Sequence, residues 1–131
     1  MILVDSSVWI DYFNGRATGE TNFLDAKLGI DPVLTGDLIL AEVLQGFRHE
    51  KDFKIAKKLL GGLEMRVLCG RDIALRAAQN FRLLRSKGIT PRKTIDTIIG
   101  TYCIAQSLTL LHSDRDFDVM EAELGLRVAK P

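Results

Sequence analysis

Long hydrophobic runs are missing. No apolar stretch in the 131 residues approaches the ~20 that a membrane-spanning helix needs, which excludes a helical membrane protein. Histidine and cysteine are scarce, with 2 of each, and Cys69 and Cys103 stand far apart outside any CxxC or Cys/His spacing. A zinc cluster is therefore excluded, and two buried free thiols in a reducing cytoplasm are expected. There are 3 prolines, no internal repeat and no low-complexity tract, so collagen-like and disordered chains are excluded as well. A phosphate-cradling glycine loop is absent: Gly61-Gly62 is not followed by the lysine such a loop requires. Ser6, Ser7, His49 and His112 form no nucleophile motif. Met1-Ile2-Leu3-Val4 has no basic leader and meets Asp5 at once, so it reads as a strand rather than a secretory signal. Nor is there a surplus of one charge: 18 Lys plus Arg against 17 Asp plus Glu give a net +1.

What is present is an ordinary globular balance, 47% hydrophobic and 27% charged. That suffices for one domain, 1–131, with a sizeable core. The charge is segregated. Residues 1–47 carry two basic and seven acidic side chains, residues 48–93 thirteen and four, and residues 94–131 three and six. If the acidic thirds converge, they make a cation site, and the basic third then holds a polyanion beside it. Singly, Lys51, Lys54, Lys57 and Lys58, like Arg76, Arg82, Arg85 and Lys87, read as solvated helix faces.

Short apolar strands alternate with amphipathic helices. Strands are predicted at 2–4, 32–35, 65–69, 108–112 and 126–128. Helices are predicted over 6–13, 21–29, 38–46, about 53 to a stop at Gly61-Gly62, 74–87 and from Thr90-Pro91 onward, with a short one opened by Ser113 to Asp116. Ser6 or Ser7 is the expected cap of the first helix. This alternation is the signature of an α/β fold around a parallel sheet.

In such a sheet, ligands bind beyond the carboxyl ends of the strands. Asp5 directly follows the first strand, and Asp114 follows the strand at 108–112 by way of Ser113. Glu42 and Asp96 interrupt the apolar patterns of two helices, a costly placement unless something satisfies them. Taken singly, each acid is as well explained as a cap or an ion-pair partner, with Arg92 or Lys93 within a helical turn of Asp96. Together they predict one cavity. Carboxylates sharing a cavity repel, a divalent cation relieves the repulsion, and such a site suits phosphodiester hydrolysis. Asp114-Arg115-Asp116-Phe117-Asp118 begins like an EF-hand loop, but Val119 and Gly125 stand where Gly and Glu are needed. Trp9, Phe13 and Phe81 read as core, and Phe117 as an anchor for the Asp114 turn. Trp9, Tyr12, Phe13 and Leu24 are equally candidates for core and for a dimer surface.

Four segments carry a resemblance. Ile2-Leu3-Val4-Asp5-Ser6-Ser7-Val8-Trp9, Leu40-Ala41-Glu42-Val43-Leu44-Gln45-Gly46, Arg92-Lys93-Thr94-Ile95-Asp96-Thr97-Ile98-Ile99 and Leu110-Leu111-His112-Ser113-Asp114-Arg115-Asp116-Phe117-Asp118 resemble, in order and spacing, the acidic motifs of PIN-domain ribonucleases of the VapC toxin type. The resemblance implies a three-layer α/β sandwich of about five parallel strands with helices on both faces. It implies an endoribonuclease dependent on Mg²⁺ or Mn²⁺, with Asp5, Glu42, Asp96 and Asp114 at the family's acidic positions and Asp116 at a further, more variable one. On that reading Asp5, Asp96, Asp114 and Asp116 hold the metal, and Glu42 orients the attacking water. Arg92 and Lys93 contact RNA phosphates. The implied partners are RNA, a second copy of the chain, and a small DNA-binding antitoxin of the VapB type, in the cytoplasm and without a membrane. Ser6 and Ser113 depart mildly from the commoner Thr and Thr or Asn. The rival readings are a DNA-directed nuclease or phosphatase with the same acids, and a catalytically silent PIN-like binding module. Four or five carboxylates can serve either one metal or two.

Overall fold

Thirteen short elements follow one another in the computed structural model, which describes all residues Met1–Pro131. In chain order they are β1 (Ile2–Val4), α1 (Ser6–Phe13), α2 (Gly19–Lys27), β2 (Val33–Gly36), α3 (Asp37–Leu44), α4 (Glu50–Gly61) and β3 (Glu64–Arg66). There follow α5 (Gly70–Ser86), α6 (Thr94–Gln106), β4 (Thr109–Leu111), a 3₁₀ turn (Arg115–Phe117), α7 (Asp118–Leu124) and β5 (Arg127–Val128). The strands form one parallel sheet in the order β3-β2-β1-β4-β5. Ile2 lies opposite both Val33 and Thr109, and Val4 opposite Leu111.

Parallel crossovers are right-handed, which sorts the helices into two layers. The connections β1-to-β2 and β2-to-β3 run one way along the sheet and carry α1 to α4. The connections β3-to-β4 and β4-to-β5 run the other way and carry α5 to α7. The packing agrees: α1 touches α2 and α3, and α3 touches α4, while α5 packs on α6 and α7 continues from the 3₁₀ turn. Helices therefore cover both faces, and the central strands are apolar because both their faces are buried. Leu3, Val4, Leu34, Leu110 and Leu111 are at most 1% exposed, and Trp9, Ile39, Leu60, Leu84 and Ile99 close over them. No helix is long and apolar enough to cross a membrane.

Several boundaries differ from the pattern-based expectation. The sixth helix begins at Thr94, not at Thr90-Pro91, and Lys93 before it is extended. A start at Pro91 would put Arg92 and Lys93 in the first turn, against the positive end of the helix dipole; the later start puts Asp96 there instead. The cap of α1 is Asp5 rather than either serine. The strand expected at 65–69 ends at Arg66, so Cys69 sits in the link into α5 and is only half-buried, whereas Cys103 is fully buried. Trp9 and Leu24 are core, which removes them from any dimer surface. The lysines of α4 and the arginines of α5 are solvent-exposed, and they belong to opposite layers. The basic third is thus split by the sheet instead of forming a single track.

The order β3-β2-β1-β4-β5 reverses between β1 and β4, and a crevice opens outside their carboxyl ends. Gly36 matters beside it. It ends β2, precedes α3, and is buried against Leu68, whose side chain occupies the space a Cβ would need. Its backbone is ordinary extended chain, so the constraint is volume alone. Gly36→Ala is expected to cost about 1–3 kcal/mol and to lower the thermal midpoint by several degrees. Calorimetry of the two proteins tests this, and an unchanged midpoint would show that Leu68 yields freely.

Candidate active site

Asp5 comes off the end of β1, and its backbone N–H donates to Leu111 O at 2.9 Å, extending the β1–β4 ladder one step. Its Oδ2 accepts from Ser7 N (3.0 Å) and Ser7 Oγ (2.6 Å), which caps α1. Ser7 Oγ in turn accepts from Ser113 N at 3.1 Å, tying the turn after β1 to the turn after β4. The other oxygen, Asp5 Oδ1, is buried without a hydrogen-bond partner. Capping and site roles therefore coexist in one carboxylate, one oxygen for each.

Glu42 projects from α3, and its Oε1 accepts from Ser6 Oγ at 3.1 Å. Asp96 stands in the first turn of α6, 6% exposed, and its Oδ2 is buried with no hydrogen-bond partner. The nearest cation, Lys93 Nζ, is 3.9 Å away, an ion pair too long to be a hydrogen bond. Asp114 caps the 3₁₀ turn through Oδ1, which accepts from Asp116 N at 2.9 Å. Its own N–H donates to His112 Nδ1 at 3.2 Å. Phe117, fully buried, packs its ring 5.0 Å from that of His112 and holds the turn as expected.

Asp5, Glu42, Asp96 and Asp114 line one cavity of about 250 Å³, with Ser6, Ser7, Ile10, Gln45 and Lys93. Asp116 lies at its rim, and carboxylate oxygens of Asp96, Asp114 and Asp116 lie within 4.8 Å of one another. Every acidic residue singled out from the sequence is thus brought to the crevice. Arg92 and Lys93 are there too, but engaged with the acids. Arg92 forks onto Asp116 Oδ2, through Nη2 at 2.9 Å and Nε at 3.1 Å. Lys93 Nζ reaches Asp114 Oδ2 at 3.5 Å. Of the two partners expected for Asp96, Lys93 pairs with it at 3.9 Å and Arg92 does not.

Burial and mutual repulsion act on the acids together. Asp96 is pushed up to about 7, by burial first and then by Asp5, with Asp114 and Glu42 adding to it and Lys93 opposing. Burial raises Asp5 as well, against the bonds from Ser7. Burial also raises Glu42, against the bond from Ser6. Lys93, beside Asp96 and Asp114, is held protonated above the usual lysine range.

Two orphaned carboxylate oxygens, buried in a cavity lined by four acids, are what a divalent cation with oxygen ligands requires, so these residues fit such an ion. By local pattern alone Ser6 and Ser7 read as ordinary capping hydroxyls. Their signal was adjacency: two hydroxyls immediately after a strand-end aspartate. Arg16 and Arg115 carry no comparable signal in the sequence. Together with Arg92 they line a depression of about 410 Å³ that shares Ser7, Ile10 and Asp114 with the acidic cavity.

Known proteins are similar over nearly the whole chain. The PIN domain family matches residues 2–123. Ribonuclease VapC11 of Mycobacterium tuberculosis is 29% identical over 134 residues, covering 98% of this chain and 98% of the relative. The fold is similar to that in VapBC2 from Rickettsia felis, bound to a DNA fragment from its promoter (TM-score 0.75, 17% identity, 98% of each chain). It is similar also to VapC20 of Mycobacterium tuberculosis, a sarcin–ricin loop cleaving toxin (TM-score 0.72, 16% identity, 100% of each chain).

A pH dependence follows from Asp96. Its carboxyl is raised from 3.8 to about 7 in the folded chain, so between those values the folded protein keeps a proton that the unfolded chain has lost. The contribution to stability is greatest below about 4, falls as the pH rises, and is lost above about 7. Without divalent metal, the protein is expected to melt lower at pH 8 than at pH 5. Asp96→Asn should raise the pH 8 midpoint by a few degrees and flatten the profile. Melting curves across this range test it, and an Asn variant with the original slope would refute the assignment.

Proposed function

The chain belongs to the PIN-domain family, and on that premise we propose that it is a divalent-metal-dependent endoribonuclease of the VapC toxin type, acting in the cytoplasm as one PIN domain over 1–131. The observation that carries the reading is the gathering of Asp5, Glu42, Asp96 and Asp114 around one cavity with two unpartnered carboxylate oxygens. A ribonuclease relative of 29% identity over 98% of the chain supports the substrate class. The VapBC architecture of the structural neighbour supports a partner of the VapB antitoxin type, and a second copy of the chain is part of the same proposal.

Asp5, Asp96 and Asp114 would hold the cation, Mg²⁺ or Mn²⁺, with Asp116 at the rim. When bound, it supplies positive charge to offset the crowded carboxylates and Lewis acidity toward water and phosphate oxygens. The protein's own groups do the rest. Glu42, steadied by Ser6, is placed to take the proton of an attacking water, and burial, which raises its proton affinity, favours that role. Ser7 holds Asp5 and the Ser113 backbone in one arrangement, so the acids on β1 and β4 keep their spacing. Arg16, Arg92 and Arg115 line the adjoining depression, where they would meet backbone phosphates and lay the strand across the acids.

Asp5→Asn and Asp96→Asn should each reduce RNA cleavage by at least about 100-fold, abolish growth arrest on expression, and leave the protein folded. Chelation should silence the wild type. Cleavage of purified RNA with DNA and a small phosphodiester as controls measures this; full activity in either variant, or DNA as the preferred substrate, would sink the reading. Arg115→Ala should weaken RNA binding and reduce the salt dependence of log K by about one unit without affecting metal uptake. Binding isotherms at several salt concentrations check this, and an unchanged slope would remove Arg115 from the phosphate path.

A further inference from the structure

The acidic cluster has two unlike edges. At the inner edge, Asp5 Oδ1 and Asp96 Oδ2 are buried and lack hydrogen-bond partners. At the outer edge, the carboxylates are already matched with positive charge from the chain itself. Asp114 Oδ2 faces Lys93 Nζ at 3.5 Å while its Oδ1 takes the Asp116 N–H, and Asp116 is clamped by Arg92. Lys93 Nζ also stands 3.9 Å from Asp96 Oδ2, so the ammonium bridges the two edges. The outer trio Asp96, Asp114 and Asp116 has the spacing to hold an ion, with oxygens within 4.8 Å of one another. Lys93 and Arg92 stand where that ion would be attracted.

We propose that Lys93 is the second cation of this site. Its ammonium occupies the outer edge, limits the cluster to a single divalent ion, and weakens the hold on that ion by repulsion. The inference rests on the nuclease reading above and deepens it, because it decides between one metal and two. The physical reason is local. A unit positive charge a few ångströms from a divalent ion in a partly buried cavity opposes its binding substantially, and the same charge satisfies Asp114 without any ion. Lys93 is extended before α6 and half-exposed, so a long flexible side chain is tethered at the cavity mouth instead of being packed in the core. There it can face a phosphate oxygen once a strand lies across the acids. Lys93 is thus a positioning residue for the metal, and its effect shows in metal uptake before any RNA is present.

The experiment is Mn²⁺ titration of the full chain, counting bound ions by the paramagnetic resonance of free Mn²⁺, for the wild type, Lys93→Ala, Lys93→Arg and Asp96→Asn. The wild type should take one ion. Lys93→Ala should take the first ion at least about tenfold more tightly and admit a second, while Lys93→Arg should match the wild type in count. Two ions in the wild type, or Lys93→Ala binding one ion no more tightly than the wild type, would overturn the role given to Lys93 and leave the nuclease reading intact. A wild type that takes up no Mn²⁺, or an Asp96→Asn protein that binds it undiminished, would instead strike the metal site itself. Lys93 lies outside the core, so the Ala variant is expected to fold, and its melting curve is recorded alongside.

Discussion

Repulsion among carboxylates held together at the end of β1 and β4 is the constraint to which the surrounding structure answers. Four acids line a cavity of about 250 Å³, and a fifth stands at the rim. In water they would disperse; in a packed protein they cannot. Each is therefore steadied by something local. Asp5 sits at the N-terminus of α1 and Asp96 in the first turn of α6, where the positive ends of helix dipoles favour negative charge. Glu42 takes the Ser6 hydroxyl, and Asp114 takes the Asp116 backbone and faces Lys93. Burial raises the proton affinity of Asp5, Glu42 and Asp96, and the repulsion these supports leave over adds to it at Glu42 and Asp96.

The same arrangement explains why a small sheet suffices. Three-residue strands carry little ladder energy, yet Asp5 and Asp114 need only the carboxyl ends of two neighbouring strands. The topological switch between β1 and β4 provides the crevice, and helices from both layers project Glu42 and Asp96 into it. Phe117 and the His112 ring lock the turn after β4, so the position of Asp114 is set by core packing and not by the cavity alone. A site built this way carries a stability penalty while no cation is bound, a common trade at functional sites.

Much of this was readable along the chain. Ile2-Leu3-Val4-Asp5 announces a buried strand ending in an acid, and Leu108 to Asp114 repeats the device. Glu42 and Asp96 betray themselves by interrupting apolar helix patterns, since a charge there demands a reason. Thr90-Pro91 is a strong local signal for the start of α6, and it loses to the electrostatic preference for Asp96 over Arg92 and Lys93 in the first turn. A hydroxyl after a strand is common, and only the partners Glu42, Asp5 and Ser113 distinguish Ser6 and Ser7. Nothing in the local pattern of Arg16 and Arg115 says that residues so far apart share one depression.

Linear order already contained the alternation of strands and helices, the polarity of each face and the identity of the acids, because burial periodicity and capping chemistry are local properties. Folding in three dimensions settled other things. The strand order placed β4 beside β1, which brought Asp5 and Asp114 to one crevice. Packing left one oxygen of Asp5 and one of Asp96 without partners while it matched Arg92 and Lys93 to Asp116 and Asp114. Hydrophobic patterning acts between residues a few positions apart, whereas electrostatic pairing depends on distances through space that no linear spacing encodes.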